Sequence, residues 1–294
     1  MGFRTIVVNQ HSKLSYKNNH LVFKSESRVE TILLSEIDLL ICETTDIVVT
    51  TMLLSKLVDE GVGVIFCCKN WLPSAQLMPF YGRHDSSLTL KKQLEWKAEA
   101  KDQLATRLIQ QKMVNQGLFL AQRHFTQKSE SIAKLASEIG LQDPTNREGH
   151  AARIFFNTLY GNSFSRDDVT PINAGLDYGY TLLMAMFARE IVKAGCITQL
   201  GINHVNQFNP FNLASDLMEP FRLIVDEIVY RFLDKNFDFI KREVFDIFVK
   251  IYPYNNAQMY LSNIVNSYVK GCIAYLNGEA SDLPIFEYAG ERRE

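Results

Sequence analysis

Alternation of apolar and polar positions governs the first eighty residues. FRTIVVN, KLSY, HLVF, ETILL and IDLLIC each show the period-two rhythm or short apolar run of a β-strand. Asn18-Asn19 separates KLSY from HLVF. Asn tolerates positive φ, so this pair predicts a tight hairpin turn. TMLLSKLVD at 51–59 switches to helical spacing, with a Thr to cap its start and Gly61 just beyond its end. GVGVIFCC and SAQLMPF then return to strand.

Within Tyr81–Ser87 (YGRHDSS) the rhythm changes to a helical period that persists nearly to the C-terminus. Helices are expected near 88–116, 118–127, 131–139, 147–160, 176–194, 220–235, 240–251 and 257–276. Gly140, Gly161, Gly195 and Gly278 stand where helix ends would need them. The chain of 294 residues therefore reads as α+β, a small N-terminal β-rich domain over 1–82 followed by a larger all-α domain over 83–294.

Composition adds limits. A hydrophobic fraction of 47% with 22% charged residues belongs to a globular chain with a sizeable core, which argues against disorder. No apolar run reaches bilayer length and MGFRTIVVNQ lacks the pattern of a signal peptide, so a cytoplasmic location is expected and no membrane partner. Cys67 and Cys68 are adjacent while Cys42, Cys196 and Cys272 stand alone; this spacing predicts buried thiols, without a zinc site or disulfide. The formal charge of −2 conceals a basic stretch from Arg83 to Lys128, with nine Lys or Arg against four acids. Such a stripe either tracks a phosphate backbone or is a solvated helix face.

The chain contains no Walker-type phosphate loop, no GxGxxG after a strand, no nucleophile elbow and no HExxH, which weakens nucleotide hydrolysis and hydride transfer. What remains is GINHVNQFNPFNLASDLMEPFR, residues 201–222. Asp216 and Glu219 are one helical turn apart, Pro220 favours a turn or helix start there, and His204 lies in the preceding Asn-rich loop. Two readings stand: a divalent-cation site, or acids at a helix start beside a hydrogen-bonding loop His. Glu148 is a further candidate, although Thr145 and Glu148 have capping-box spacing. Gly149 is costly in a first helical turn and suggests close approach of a backbone or ligand. His150 would point a quarter-turn away. Asp167 and Asp168 read as loop residues, Asp226 as solvated or partner-facing, and Phe155, Phe156, Phe208 and Phe211 as core. Trp71 and Trp96 are read as packing groups rather than base-stacking ones.

REGHAARIFF, PINAGLDYGYTLL and GINHVNQFNPFNLASDLMEPFR, in this order and separation, resemble the signatures of the CRISPR-associated integrase family, the DNA-cutting and joining subunit of spacer acquisition. The resemblance spans essentially the whole chain and is closest to members from type II systems. It implies that Glu148, His204 and Glu219 bind Mg²⁺ or Mn²⁺, with Asp216 assisting catalysis. Glu219 stands where many relatives carry Asp, which retains a carboxylate on a longer arm. Asn173 and Tyr178 fall in the matching PINAGLDYGY signature, which implies a packing or site-shaping role rather than ligation. The implied activity is endonuclease and strand transfer, in which the 3′-hydroxyl of a short double-stranded DNA fragment attacks repeat-array DNA. The implied assembly is a homodimer through the β-rich domains, with a small second adaptation protein joining two dimers into a hetero-hexamer and further type II proteins taking part. Arg83, Lys91, Lys92, Arg147, Arg153 and Arg166 become the candidate DNA surface. The alternatives are a structure-specific nuclease without joining and a non-catalytic DNA-holding scaffold.

Overall fold

The computed structural model describes residues 2–69, 71–80 and 84–288. Its first part comprises β1 (Arg4–Val8), β2 (Ser12–Lys17), β3 (His20–Lys24), β4 (Val29–Leu33), β5 (Ile37–Cys42), β6 (Ile47–Val49), α1 (Thr51–Asp59), β7 (Gly63–Cys67) and β8 (Pro73–Leu77). These strands form two four-stranded sheets, ordered β1-β5-β7-β8 and β4-β3-β2-β6. Asn18 and Asn19 adopt φ of 48° and 62°, the left-handed pair that lets β2 turn straight into β3.

The helical part comprises α2 (Ser86–Leu94), α3 (Ala98–Gln122), α4 (Thr126–Ser137), α5 (Arg147–Tyr160), α6 (Pro171–Lys193), α7 (Asn212–Leu217), α8 (Arg222–Arg231), α9 (Phe237–Val244), α10 (Asp246–Val249) and α11 (Leu261–Leu276). A 3₁₀ turn, Glu219–Phe221, joins α7 to α8. Strands β9 (Ile251–Tyr254) and β10 (Ala257–Tyr260) form an antiparallel hairpin between α10 and α11. The helical part is thus not purely helical: Asn255 and Asn256, at φ 49° and 62°, repeat the turn chemistry of Asn18-Asn19. The expected helix from 257 accordingly begins at Leu261, and α3 continues through Gly117 instead of breaking there. Gly140 ends no helix in a left-handed conformation, whereas Gly161, Gly195 and Gly278 do have positive φ.

All six residues of β5 are buried, because this strand packs on both faces. Leu40 and Cys42 join α1 and the second sheet in one core, while Leu39 and Ile41 face the helices. Period-two alternation therefore sets which side chains serve which core. Arg189 of α6 crosses the seam, donating from Nη1 to the Asp38 carbonyl (2.8 Å) and from Nη2 to Asp38 Oδ1 (3.1 Å). Both side chains are buried, so their mutual bonding offsets desolvation that either alone would leave uncompensated.

Helix α6 is the axis of the helical part. Thr170 caps it by accepting from Asn173 N–H, and Pro171 occupies its first turn. Gly175 and Gly179 lie one turn apart; an added Cβ would stand 2.6 Å from Ile240 and 2.4 Å from Val225. Their missing side chains let α9 and α8 approach α6 closely. Gly179→Ala is expected to lower stability by about 1–3 kcal/mol through overpacking, checked by chemical denaturation at constant m-value.

Candidate active site

Several separate segments converge on one cavity of about 260 Å³, lined by Lys112 and Gln116 of α3, Glu148 of α5, Arg166, Tyr180 of α6, His204, Glu219 of the 3₁₀ turn and Asp226 of α8, among others. Local chemistry explains how each arrives. Asn146 takes a left-handed φ of 50° and caps α5 by accepting from Gly149 N–H at 3.2 Å. Asp143 accepts from the Arg147 and Glu148 N–H groups, each at 2.8 Å. The Thr145–Glu148 capping box is therefore not formed, and the Glu148 carboxylate is available to the cavity. The place of Gly149 is also local: a Cβ there would meet Asn146 Oδ1 at 2.6 Å, so the capping side chain occupies the space considered for a ligand.

The His204 loop is organised by one buried carboxylate. Asp216 Oδ2 accepts from Ile202 N–H (2.7 Å) and Asn203 N–H (3.2 Å); Oδ1 accepts from His204 N–H (2.9 Å) and contacts His204 Nδ1 (2.6 Å). Asp216 does not line the cavity but orients the imidazole that does. This hydrogen bond, against the opposing effect of burial, raises the His204 pKa above its ordinary value. With Nδ1 engaged, Nε2 remains to meet a metal, proton or substrate oxygen.

Glu219 begins the 3₁₀ turn that Pro220 enforces. Asn115, one turn along α3 from Lys112, donates to the Pro220 carbonyl at 2.9 Å and to Phe286 at 3.0 Å, locking that turn against α3. Lys112 Nζ consequently stands between two acids, 2.6 Å from Glu148 Oε1 and 2.7 Å from Glu219 Oε2. Its approach to Glu219 lies off the line of a hydrogen bond, leaving buried Oε2 without a hydrogen-bond partner. Arg222 Nε donates to Glu219 Oε1 at 3.0 Å, and its guanidinium lies over the Tyr180 ring. Burial alone would raise the Glu219 pKa; Arg222 and then Lys112 overcome it and hold the carboxyl at about 2.

Glu148, His204 and Glu219, expected together from the sequence, all line this cavity, whereas several other residues lie elsewhere than their patterns suggest. Asp226 is buried rather than solvated, and accepts from the Tyr180 hydroxyl at the cavity. Tyr180, not Tyr178, reaches the site; Tyr178 is fully buried against Phe237 and Phe245. Asn173 braces Arg166 by accepting from Nη1 at 2.7 Å, and Arg166 also binds Asp177. Lys112, counted only as part of a basic stripe, is a half-buried member of the site. His150 and Arg153 line a separate groove between α4 and α5. Lys91 and Lys92 lie exposed on α2, where Lys92 pairs with Glu279; Arg147 pairs with Glu138; Arg83 falls outside the described residues. Phe208 is 84% exposed, because Asn206 fixes its N–H in a local turn and leaves the ring outside the core. Trp96 is buried and bonded to Asn277, while Trp71 is partly exposed beneath Lys241.

The family model for CRISPR associated protein Cas1 matches residues 5–247. The chain belongs to the Cas1 family. It is 33% identical over 226 residues to CRISPR-associated endonuclease Cas1 of Neisseria meningitidis serogroup C (strain 8013), covering 77% of this chain and 74% of that protein. Its fold resembles a casposase bound to integration product, with TM-score 0.80 and 19% identity over 99% of this chain and 96% of the other. A Cas6-RT-Cas1–Cas2 complex chain matches with TM-score 0.73 and 16% identity, covering 94% of this chain and 35% of the other.

Burial also gives Asp226 a pH signature. Despite the Tyr180 hydrogen bond and Arg222, its carboxyl is raised to about 6. The folded state therefore favours the protonated form more than the unfolded chain does, and loses stability as pH rises toward 6. Asp226→Asn is expected to stabilise the protein by roughly 3 kcal/mol above that pH, with the gain disappearing near pH 4. Denaturation of both chains between these limits checks the crossover.

Proposed function

We propose that this chain is a metal-dependent DNA endonuclease and strand-transferase of CRISPR adaptation, joining the 3′-hydroxyls of short foreign DNA fragments into a repeat array. The convergence of Glu148, His204 and Glu219 from separate segments on one cavity carries the reading. Their donor types fit Mg²⁺ or Mn²⁺: two carboxylates, and one imidazole whose other nitrogen is held by Asp216. The Lys112 ammonium, 2.7 Å from buried Glu219 Oε2, already marks a position that favours a cation. As arranged with Lys112 between the acids, no group of three His, Cys, Asp or Glu is poised to hold an ion among the described residues.

When bound, the ion would activate an attacking hydroxyl and stabilise charge developing at phosphorus. The residues of the chain set the surroundings. Asp216 keeps His204 aimed at the cavity, and Arg166 and Arg222 offer cationic surfaces to a phosphodiester. Hydrolysis uses water as nucleophile, whereas strand transfer uses a DNA 3′-hydroxyl; in either case the oxygen leaving phosphorus remains on the opposite DNA fragment. Arg166 is the nearest of the candidate DNA residues, with Lys91, Lys92, Arg147 and Arg153 supplying backbone contacts farther along the strand.

The casposase similarity supports integration rather than cutting alone, and the Cas1–Cas2 complex similarity supports a small second adaptation protein as partner. In the proposed assembly, β-rich domains form homodimers and the partner joins them into a hetero-hexamer, with further type II proteins participating. Its location is the prokaryotic cytoplasm; among the described residues no helix is long and apolar enough to cross a membrane.

A labelled duplex with free 3′-hydroxyls and a supercoiled repeat plasmid test the reaction with Mg²⁺ or Mn²⁺, with and without the small partner. Label should enter the plasmid, while Glu148→Gln, His204→Ala or Glu219→Gln should reduce transfer by roughly 100-fold or more without loss of fold. Cutting without joining would favour the nuclease alternative, and absence of both products would favour the scaffold.

A further inference from the structure

We infer that Lys112 is a built-in cation which occupies the space between the two carboxylates until a divalent metal displaces it. This rests on the proposed metal-dependent function and identifies what holds the two carboxylates of that site together. The ammonium bridges Glu148 Oε1 and Glu219 Oε2 at 2.6 and 2.7 Å. These are distances at which a divalent ion and Nζ cannot share the same space. The bridge also joins α3 to the starts of α5 and the 3₁₀ turn, so it holds carboxylates from two chain segments against a third.

Two further observations indicate an occupant rather than only a structural ion pair. Glu219 already has Arg222 on Oε1, leaving Lys112 as the cation facing its buried Oε2, which lacks an aligned hydrogen bond. Lys112 itself lines the cavity, so its flexible side chain has open space beside it. The neighbouring helix is held independently: Asn115 anchors α3 to Pro220 and Phe286 and accepts from Tyr288 N–H at 3.0 Å. Displacing the ammonium therefore requires movement of a side chain, without undocking α3. The cost is electrostatic competition for the same acids, which weakens the first metal-binding event and prevents their mutual repulsion before metal arrives.

Mn²⁺ titration monitored by electron paramagnetic resonance, together with thermal melting, distinguishes this role from simple bracing. Lys112→Met should bind Mn²⁺ at least about tenfold more tightly than the parent, because a neighbouring like charge alters a buried ion equilibrium by roughly ten- to a thousand-fold. Its metal-free melting point should fall, and saturating Mn²⁺ should restore more of it than the same ion adds to the parent. Lys112→Gln provides the same comparison if the Met variant does not fold. Equal or weaker Mn²⁺ affinity in the folded variant would overturn the inference while leaving metal binding intact; absence of site-specific Mn²⁺ binding in both parent and variant would overturn the metal-dependent reading on which it rests.

Discussion

The half-buried ammonium of Lys112 between Glu148 and Glu219 is the constraint around which the candidate site is organised. Two acids cannot be withdrawn from water at close range without cationic compensation. The surrounding fold provides it from two directions: α3 supplies Lys112 and the first residue of α8 is Arg222. Asn115 then fixes the separation of those elements by bonding the Pro220 carbonyl. The same architecture that satisfies the charges thus shapes the cavity lined by Glu148, His204 and Glu219 in this chain of the Cas1 family.

Imidazole geometry depends on a second buried carboxylate with a different task. Asp216 gathers three successive backbone N–H groups and the His204 ring, turning an Asn-rich loop into a fixed arm. Its apparent helical partnership with Glu219 is therefore less informative than its backbone bonding: Asp216 orients His204, whereas Glu219 faces Lys112 and Arg222. The nearby Asp226–Tyr180 pair adds a buried polar wall rather than another solvent-facing charge. These distinctions separate groups that can contact substrate from groups that position them.

Much of this organisation was legible in the chain, for identifiable reasons. Period-two runs located the β-rich part, Asn18-Asn19 marked its hairpin, and the ordered motifs identified Glu148, His204 and Glu219 together. Local patterns were less sufficient where long-range contacts decided the outcome. Asn255-Asn256 carries the same turn signal as the first hairpin, but surrounding helix formers concealed the short strands. Lys112 reads as one charge in a helical stripe until α5 and the Glu219 turn meet it. Asp226 likewise has no local sign of burial; packing against Tyr180 supplies its environment. Phe208 shows the converse, an apolar residue left outside because loop hydrogen bonding takes precedence over burial.

Anomalous diffraction from crystals of the intact chain grown with Mn²⁺ would test the central claim most directly. The account predicts one Mn²⁺ peak bonded by Glu148, His204 and Glu219, with the Lys112 ammonium moved from between the two acids. An ordered, fully occupied Mn²⁺ peak that uses other ligands, or retention of the Lys112 bridge with no peak at this site under saturating Mn²⁺, would contradict it.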